Sequence, residues 1–155
     1  MITIVTGHIL ESKAQVLVNE VTCSGDIEKG TGEAFKILFP EVAEDYFQRC
    51  EKNKVILGEP YLFKRMLFPW VLNFPVKRNL KSSPQDQDII NGIDYFIEKY
   101  QDWGVFFIAF PLLGWSKIKN KKIYSIIYEK LSSIEAVVEI WVPTKKCISL
   151  LKGDD

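Results

Sequence analysis

Short β-branched runs alternate along this chain with longer segments whose apolar residues recur every three or four positions. "ITIV" (2–5) and "VLVNE" (16–20) predict strands. "TGEAFKILF" (31–39) predicts a helix, and "PEVAEDYFQRCEK" (40–52) a second one opened by Pro40 at the favourable first position. Val42, Tyr46, Phe47 and Cys50 give that second helix one apolar face. "PYLFKR" (60–65) and "WVLNFPV" (70–76) predict two neighbouring strands. In "SSPQDQDIINGIDYFIEKYQDWG" the reading places Ser83 as N-cap, Pro84 first and Asp86 in the first turn. Ile89, Ile90, Ile93, Phe96, Ile97 and Tyr100 recur at helical spacing, and Gly104 supplies the stop. "VFFIAF" (105–110) is the continuous apolar run of a strand covered on both faces. A helix near 119–132 and a strand "AVVEIWV" (136–142) complete the pattern.

Alternation of this kind predicts an α/β/α three-layer sandwich around a mixed, mostly parallel sheet. Ligands of such sheets sit beyond the carboxyl ends of the strands. Two places run from buried strand through a glycine-bearing loop into a helix: "VLVNEVTCSGDIEKGTG" and "FFIAFPLLGWS". The expected pocket lies where those two loops face one ligand.

Composition narrows the choice. At 155 residues, 47% of them apolar, the chain suits one domain with a real core. The expected boundaries are a domain over 1–145 and a polar tail over 146–155. Lys+Arg and Asp+Glu balance at 20 each, which argues against a generic binder of nucleic acid or membrane surfaces. "MITIVTGHIL" lacks a signal-peptide pattern, and no apolar run approaches a membrane span. Cys23, Cys50 and Cys147 lie far apart, with His8 the one histidine, so a zinc site or disulfide scaffold is not expected. The reading is a reduced, cytosolic domain without metal or cofactor.

Phosphate motifs fail on inspection. From Gly25 the Walker spacing reaches Gly30, but Thr31 stands where the lysine belongs. After Gly30 and Gly32 the third dinucleotide glycine would fall at Phe35. What survives is a flexible loop opening a helix N-terminus, where free amides favour an anion; a plain connector is the alternative. Lys77 and Arg78 follow a strand and should emerge at the sheet end, as an anion site or as solvated surface. No catalytic triad is evident, and His8 reads as a turn or rim residue.

"ITIVTGHILESKAQVLVNEVTCSG", "EKGTGEAFKILFPEV", "LGEPYLF", "VLNFPVKRN" and "FFIAFPLLGWS" together resemble the macro domain family, the ADP-ribose-binding fold. The likeness is greatest to the branch containing the DarG antitoxin and the terminal ADP-ribose protein glycohydrolase, and it covers almost the whole chain. The resemblance implies an ADP-ribose cleft at the strand ends, with backbone amides of both loops gripping the diphosphate and distal ribose. It assigns His8 and Ile9 to adenine, and Asn19 and Thr22 to the distal ribose end. Ser24, Gly25, Lys29, Gly30, Thr31 and Gly32 make the first loop, and Pro111, Leu113, Gly114, Trp115 and Ser116 the second. Lys77 matches the lysine that this branch uses to remove ADP-ribose. It would act either as a cation stabilising the leaving group or as a desolvated amine attacking the anomeric carbon.

The chain departs from the family pattern. His8 stands where an aspartate is usual, Thr22 where an asparagine is, and Glu28 where a glycine is. The second loop lacks further glycines and the aspartate found in the vertebrate-type glycohydrolase. The implied activity is an ADP-ribosyl hydrolase acting on a macromolecule, with modified bases of single-stranded DNA favoured over protein, and a toxin as an expected partner. The alternatives are a binding module for ADP-ribose or a related nucleotide without turnover, and an interaction protein using "KIKNKK" (117–122).

Overall fold

The computed structural model describes residues 1–153. Six strands, β1 (Ile2–Thr6), β2 (Val16–Thr22), β3 (Tyr61–Phe63), β4 (Trp70–Lys77), β5 (Phe107–Pro111) and β6 (Val137–Val142), form one sheet in the order β1-β6-β5-β2-β4-β3. Every neighbouring pair is parallel except β3 with β4. The sheet is therefore mixed and mostly parallel, as the alternation predicts.

The period of two along each strand divides the core into two layers. Val16, Val18, Leu72, Phe74, Ile108, Phe110, Val138 and Ile140 face one side. There they meet α3 (Asp86–Lys99), α4 (Ile123–Ser132) and α5 (Ile148–Leu151). Leu17, Val71 and Ala109 face the other, against Phe35 of α1 (Thr31–Leu38) and Val42 of α2 (Pro40–Glu51). The helix–sheet–helix sandwich follows directly from that segregation.

Three boundaries differ from the sequence reading. α3 begins at Asp86 with Gln85, not Ser83, at its N-cap. Pro84 is buried against Gly114, so it packs rather than opening the helix. α4 begins at Ile123 because residues 117 and 118 fold back to donate to the Gly114 carbonyl, at 3.0 and 2.8 Å. Cys147 and Leu151 are buried in the core, so packing extends past residue 145 into the expected tail. Asp154 and Asp155 of that tail lie outside the described residues.

At the end of β4 the ladder with β2 slips, Val21 pairing with Pro75 but Thr22 with Lys77. This bulge adds one residue to β4 where the strand meets the cleft, the kind of irregularity that redirects a side chain. Pro75 lies beyond the last β3 pair at Asn73, so its missing N–H costs no ladder bond on that side.

Candidate functional site at the strand ends

β2 leads into the first loop, residues 23–30. Thr22 Oγ1 donates to the Asp26 carbonyl at 2.9 Å, and the Tyr46 hydroxyl donates to the Thr22 carbonyl at 2.6 Å. Ser24 Oγ donates to the Asp26 carboxylate at 2.8 Å. These bonds tie the loop to itself and to α2. Gly30 caps α1 at φ +95°, a region that favours glycine, and no side chain caps that helix. Its first amides therefore remain for an anion.

β5 leads into the second loop. Leu112 and Leu113 are buried in the core, while Gly114 turns at φ +71°. A Cβ there would lie 3.2 Å from Ile89 Cδ1 and 3.3 Å from Pro84. The Gly114 amide donates to the Glu20 carboxylate, and the Trp115 amide donates to the Leu112 carbonyl at 3.1 Å. Two amides that the resemblance offers to a diphosphate are thus engaged within the protein. Lys121 Nζ lies 4.2 Å from the centre of the Trp115 ring and donates to the Trp115 carbonyl at 2.5 Å.

Both loops open onto one cleft of about 340 Å³, within the range of small-ligand pockets. Of the residues singled out from the sequence, His8, Ile9, Asn19, Thr22, Lys29, Thr31, Gly32, Lys77, Pro111, Gly114, Trp115 and Ser116 line it. Ser24, Gly25, Gly30 and Leu113 do not: the first three shape the first loop, and Leu113 fills the core. Sequence reasoning missed Glu20, Tyr46, Asn73 and Trp141, which also line the cleft. Glu20 left one visible signal, an acid inside the apolar strand "VLVNEVT".

One end of the cleft is apolar. Ile9, Phe35, Val42 and Trp141 form it, and a Cβ on Gly7 would come 3.2 Å from Trp141 Cζ3. His8 sits at this end with both ring nitrogens engaged. Nδ1 accepts from the Leu10 amide at 3.2 Å, so the proton sits on Nε2, which meets Thr31 Oγ1 at 3.3 Å. The ring acceptor of His8, which the resemblance assigns to adenine, is therefore spent on a cap.

The other end is charged. Lys77 is 5% exposed and donates from Nζ to Glu28 Oε1 of the first loop. Lys117 Nζ lies 4.0 Å from the same oxygen and donates to the Leu80 carbonyl at 3.0 Å. Contact with Lys77 and its positive charge hold the Lys117 amine below the ordinary lysine range. Deep in the cleft, burial pushes the Glu20 carboxyl up to about 7, with the Gly114 amide acting against it. The departure at Glu28 faces the cleft, joining the first loop to the end of β4 through Lys77 and lying 4.0 Å from Lys117 just after the second loop.

Asn19 Nδ2 donates to Asn73 Oδ1 at 3.1 Å, and Asn73 Nδ2 donates to the Tyr61 hydroxyl at 3.1 Å. Asn19 Oδ1 is buried with no hydrogen-bond partner among the described residues. An orphaned acceptor at a cleft wall fits a donor brought by a ligand, such as a sugar hydroxyl. No helix of the described residues is long and apolar enough to cross a membrane, and they hold no cluster of His, Cys, Asp and Glu suited to a metal.

Comparison with known proteins agrees with this architecture. The family model for the Macro domain matches residues 18–122. A DNA ADP-ribosyl glycohydrolase of Thermus aquaticus is 30% identical over 152 residues, covering 92% of this chain and 41% of that protein. The solved macrodomain of Thermus aquaticus DarG superposes with a TM-score of 0.81 at 28% identity, covering 93% of this chain and 98% of that one. Thermosipho africanus DarTG, solved in complex with ADP-ribose, superposes at 0.82 and 26% identity, covering 92% and 42%. The chain spans about two fifths of the length of the curated relatives it matches. With the model matched over more than half its residues, the chain belongs to the Macro domain family.

Proposed function

We propose that this domain removes ADP-ribose from a macromolecule, with a base of single-stranded DNA as the favoured acceptor and protein as the second. The observation that carries this reading is one cleft bounded by two glycine-bearing loops, with the buried Lys77 between them. The uncapped start of α1 and the orphaned Asn19 oxygen supply a place for phosphate and for a ribose hydroxyl. Relatives named DNA ADP-ribosyl glycohydrolase support the acceptor class. A relative that fuses transferase and glycohydrolase supports a toxin partner.

Lys77 Nζ is paired with the Glu28 carboxylate. Of the two roles open from the sequence, this ion pair supports the cation that stabilises the leaving group, here by giving it a proton as the glycosidic bond breaks. A binding module without turnover is the second reading, favoured because the lysine is already engaged. Both are tested by incubating the protein with an oligonucleotide carrying base-linked ADP-ribose. Wild type should release ADP-ribose, and Lys77→Ala should lose release by about a hundredfold or more while still binding free ADP-ribose. Binding without release in wild type selects the second reading. Equal release by Lys77→Ala removes the lysine from the chemistry.

A further inference from the structure

We propose that Glu28 is the general base of this site, completing with Lys77 an acid–base pair drawn from the first loop and the end of β4. The inference rests on the hydrolase reading above. Three carboxylates line the cleft among the described residues: Glu20, Asp26 and Glu28. Asp26 is engaged by the Ser24 hydroxyl within its own loop, and Glu20 by the Gly114 amide. Glu28 alone of the three has lysines as its partners, Lys77 in contact and Lys117 at 4.0 Å, and its side chain keeps 46% exposure to water. A carboxylate at the charged end of the cleft weakens ground-state binding of an anionic ligand. Its placement makes chemical sense where it acts in the transition state.

The protons balance over one cycle. The bond between the anomeric carbon and the acceptor breaks, the electron pair leaves with the acceptor, and the acceptor takes a proton from the Lys77 ammonium. Water then bonds to the anomeric carbon through its oxygen and gives a proton to the Glu28 carboxylate. That proton passes from Glu28 to the Lys77 amine along their shared hydrogen bond, and the ion pair is restored. Acceptor–ADP-ribose and water become protonated acceptor and free ADP-ribose. Two groups in direct contact act from one side of the scissile bond, so water takes the place that the departing acceptor leaves. The carboxyl pairs of enzymes that work from opposite faces of a sugar ring stand roughly 6.5–9.5 Å apart.

The test is a pH series of kcat and KM for wild type, Glu28→Gln and Glu20→Gln on the same ADP-ribosylated oligonucleotide, with ADP-ribose affinity measured beside it. Lys77 from β4, Lys117 after the second loop and Glu20 from β2 act on Glu28, and Asp26 and Lys29 of its own loop line the same cleft. For that reason the profile is compared between variants rather than read alone. Glu28→Gln should lower kcat by about a hundredfold to a thousandfold and lose the acid limb, while binding ADP-ribose as tightly as wild type or more so. Glu28→Asp should recover part of the rate. Turnover in Glu28→Gln equal to or above wild type would make the residue a mere plug and overturn the proposal. So would an acid limb that persists in Glu28→Gln and vanishes in Glu20→Gln. Wild type that binds ADP-ribose but never releases it from a substrate would instead defeat the hydrolase reading beneath.

Discussion

Position 20 places a carboxyl where β2 meets the second loop, and its single strong partner is the Gly114 amide. Burial raises its pKa from an ordinary 4.5 to about 7. A raised value in the folded state means that the unfolded chain loses this proton first. The associated stability is full below about pH 4.5 and is lost as pH rises through about 7. Relative to wild type, Glu20→Gln should therefore gain stability between pH 5 and pH 8, measured as the shift in urea midpoint. A constant gap across that range would show that Glu20 does not titrate there. Backbone turns were legible at this scale, as at Gly30 and Gly114, whose positive φ suits glycine. The side-chain charges were not. Glu28 read only as a departure from the family's glycine, because no local pattern shows that its loop reaches back to Lys77, 49 positions away.

Among the elements, α3 shows how packing overrides local signals. Its periodicity was plain, but Gly92 in its interior gave no reason for itself in sequence. In the fold a Cβ at Gly92 would lie 2.4 Å from Phe74 Cζ, and Phe74 is fully buried. The glycine lets α3 settle onto β4, the strand that delivers Lys77. Gly92→Ala should gain up to about 1 kcal/mol of helix propensity but suffer overpacking of about 1–3 kcal/mol. With the full helix gain the net expectation is destabilisation by about 0–2 kcal/mol, read from urea unfolding. A stabilised variant would show that the ring moves freely. The same logic explains the misplaced start of α3: Ser83 and Pro84 have the right chemistry for a cap, but Pro84 is held against Gly114. The ordering of helix and strand was legible because each segment shows one period clearly. Capping depends on neighbours that the segment does not name.

At the level of the whole molecule, alternation of elements was enough to predict the sandwich and the end of the sheet that carries a site. That end follows from parallel strands, since adjacent parallel strands bring their carboxyl ends and the loops after them together. The extent of packing at the C-terminus was harder to read, because the short apolar run from Cys147 to Leu151 is flanked by Lys145, Lys146 and Lys152, which make the segment look polar. Equal totals of positive and negative charge also hid their separation inside the cleft, where Lys77 and Lys117 surround one carboxylate. A calorimetric titration of the protein with ADP-ribose, repeated at two temperatures, tests most directly what this cleft holds. Saturable binding of one ADP-ribose per chain is predicted. An absence of saturable heat at both temperatures would contradict it.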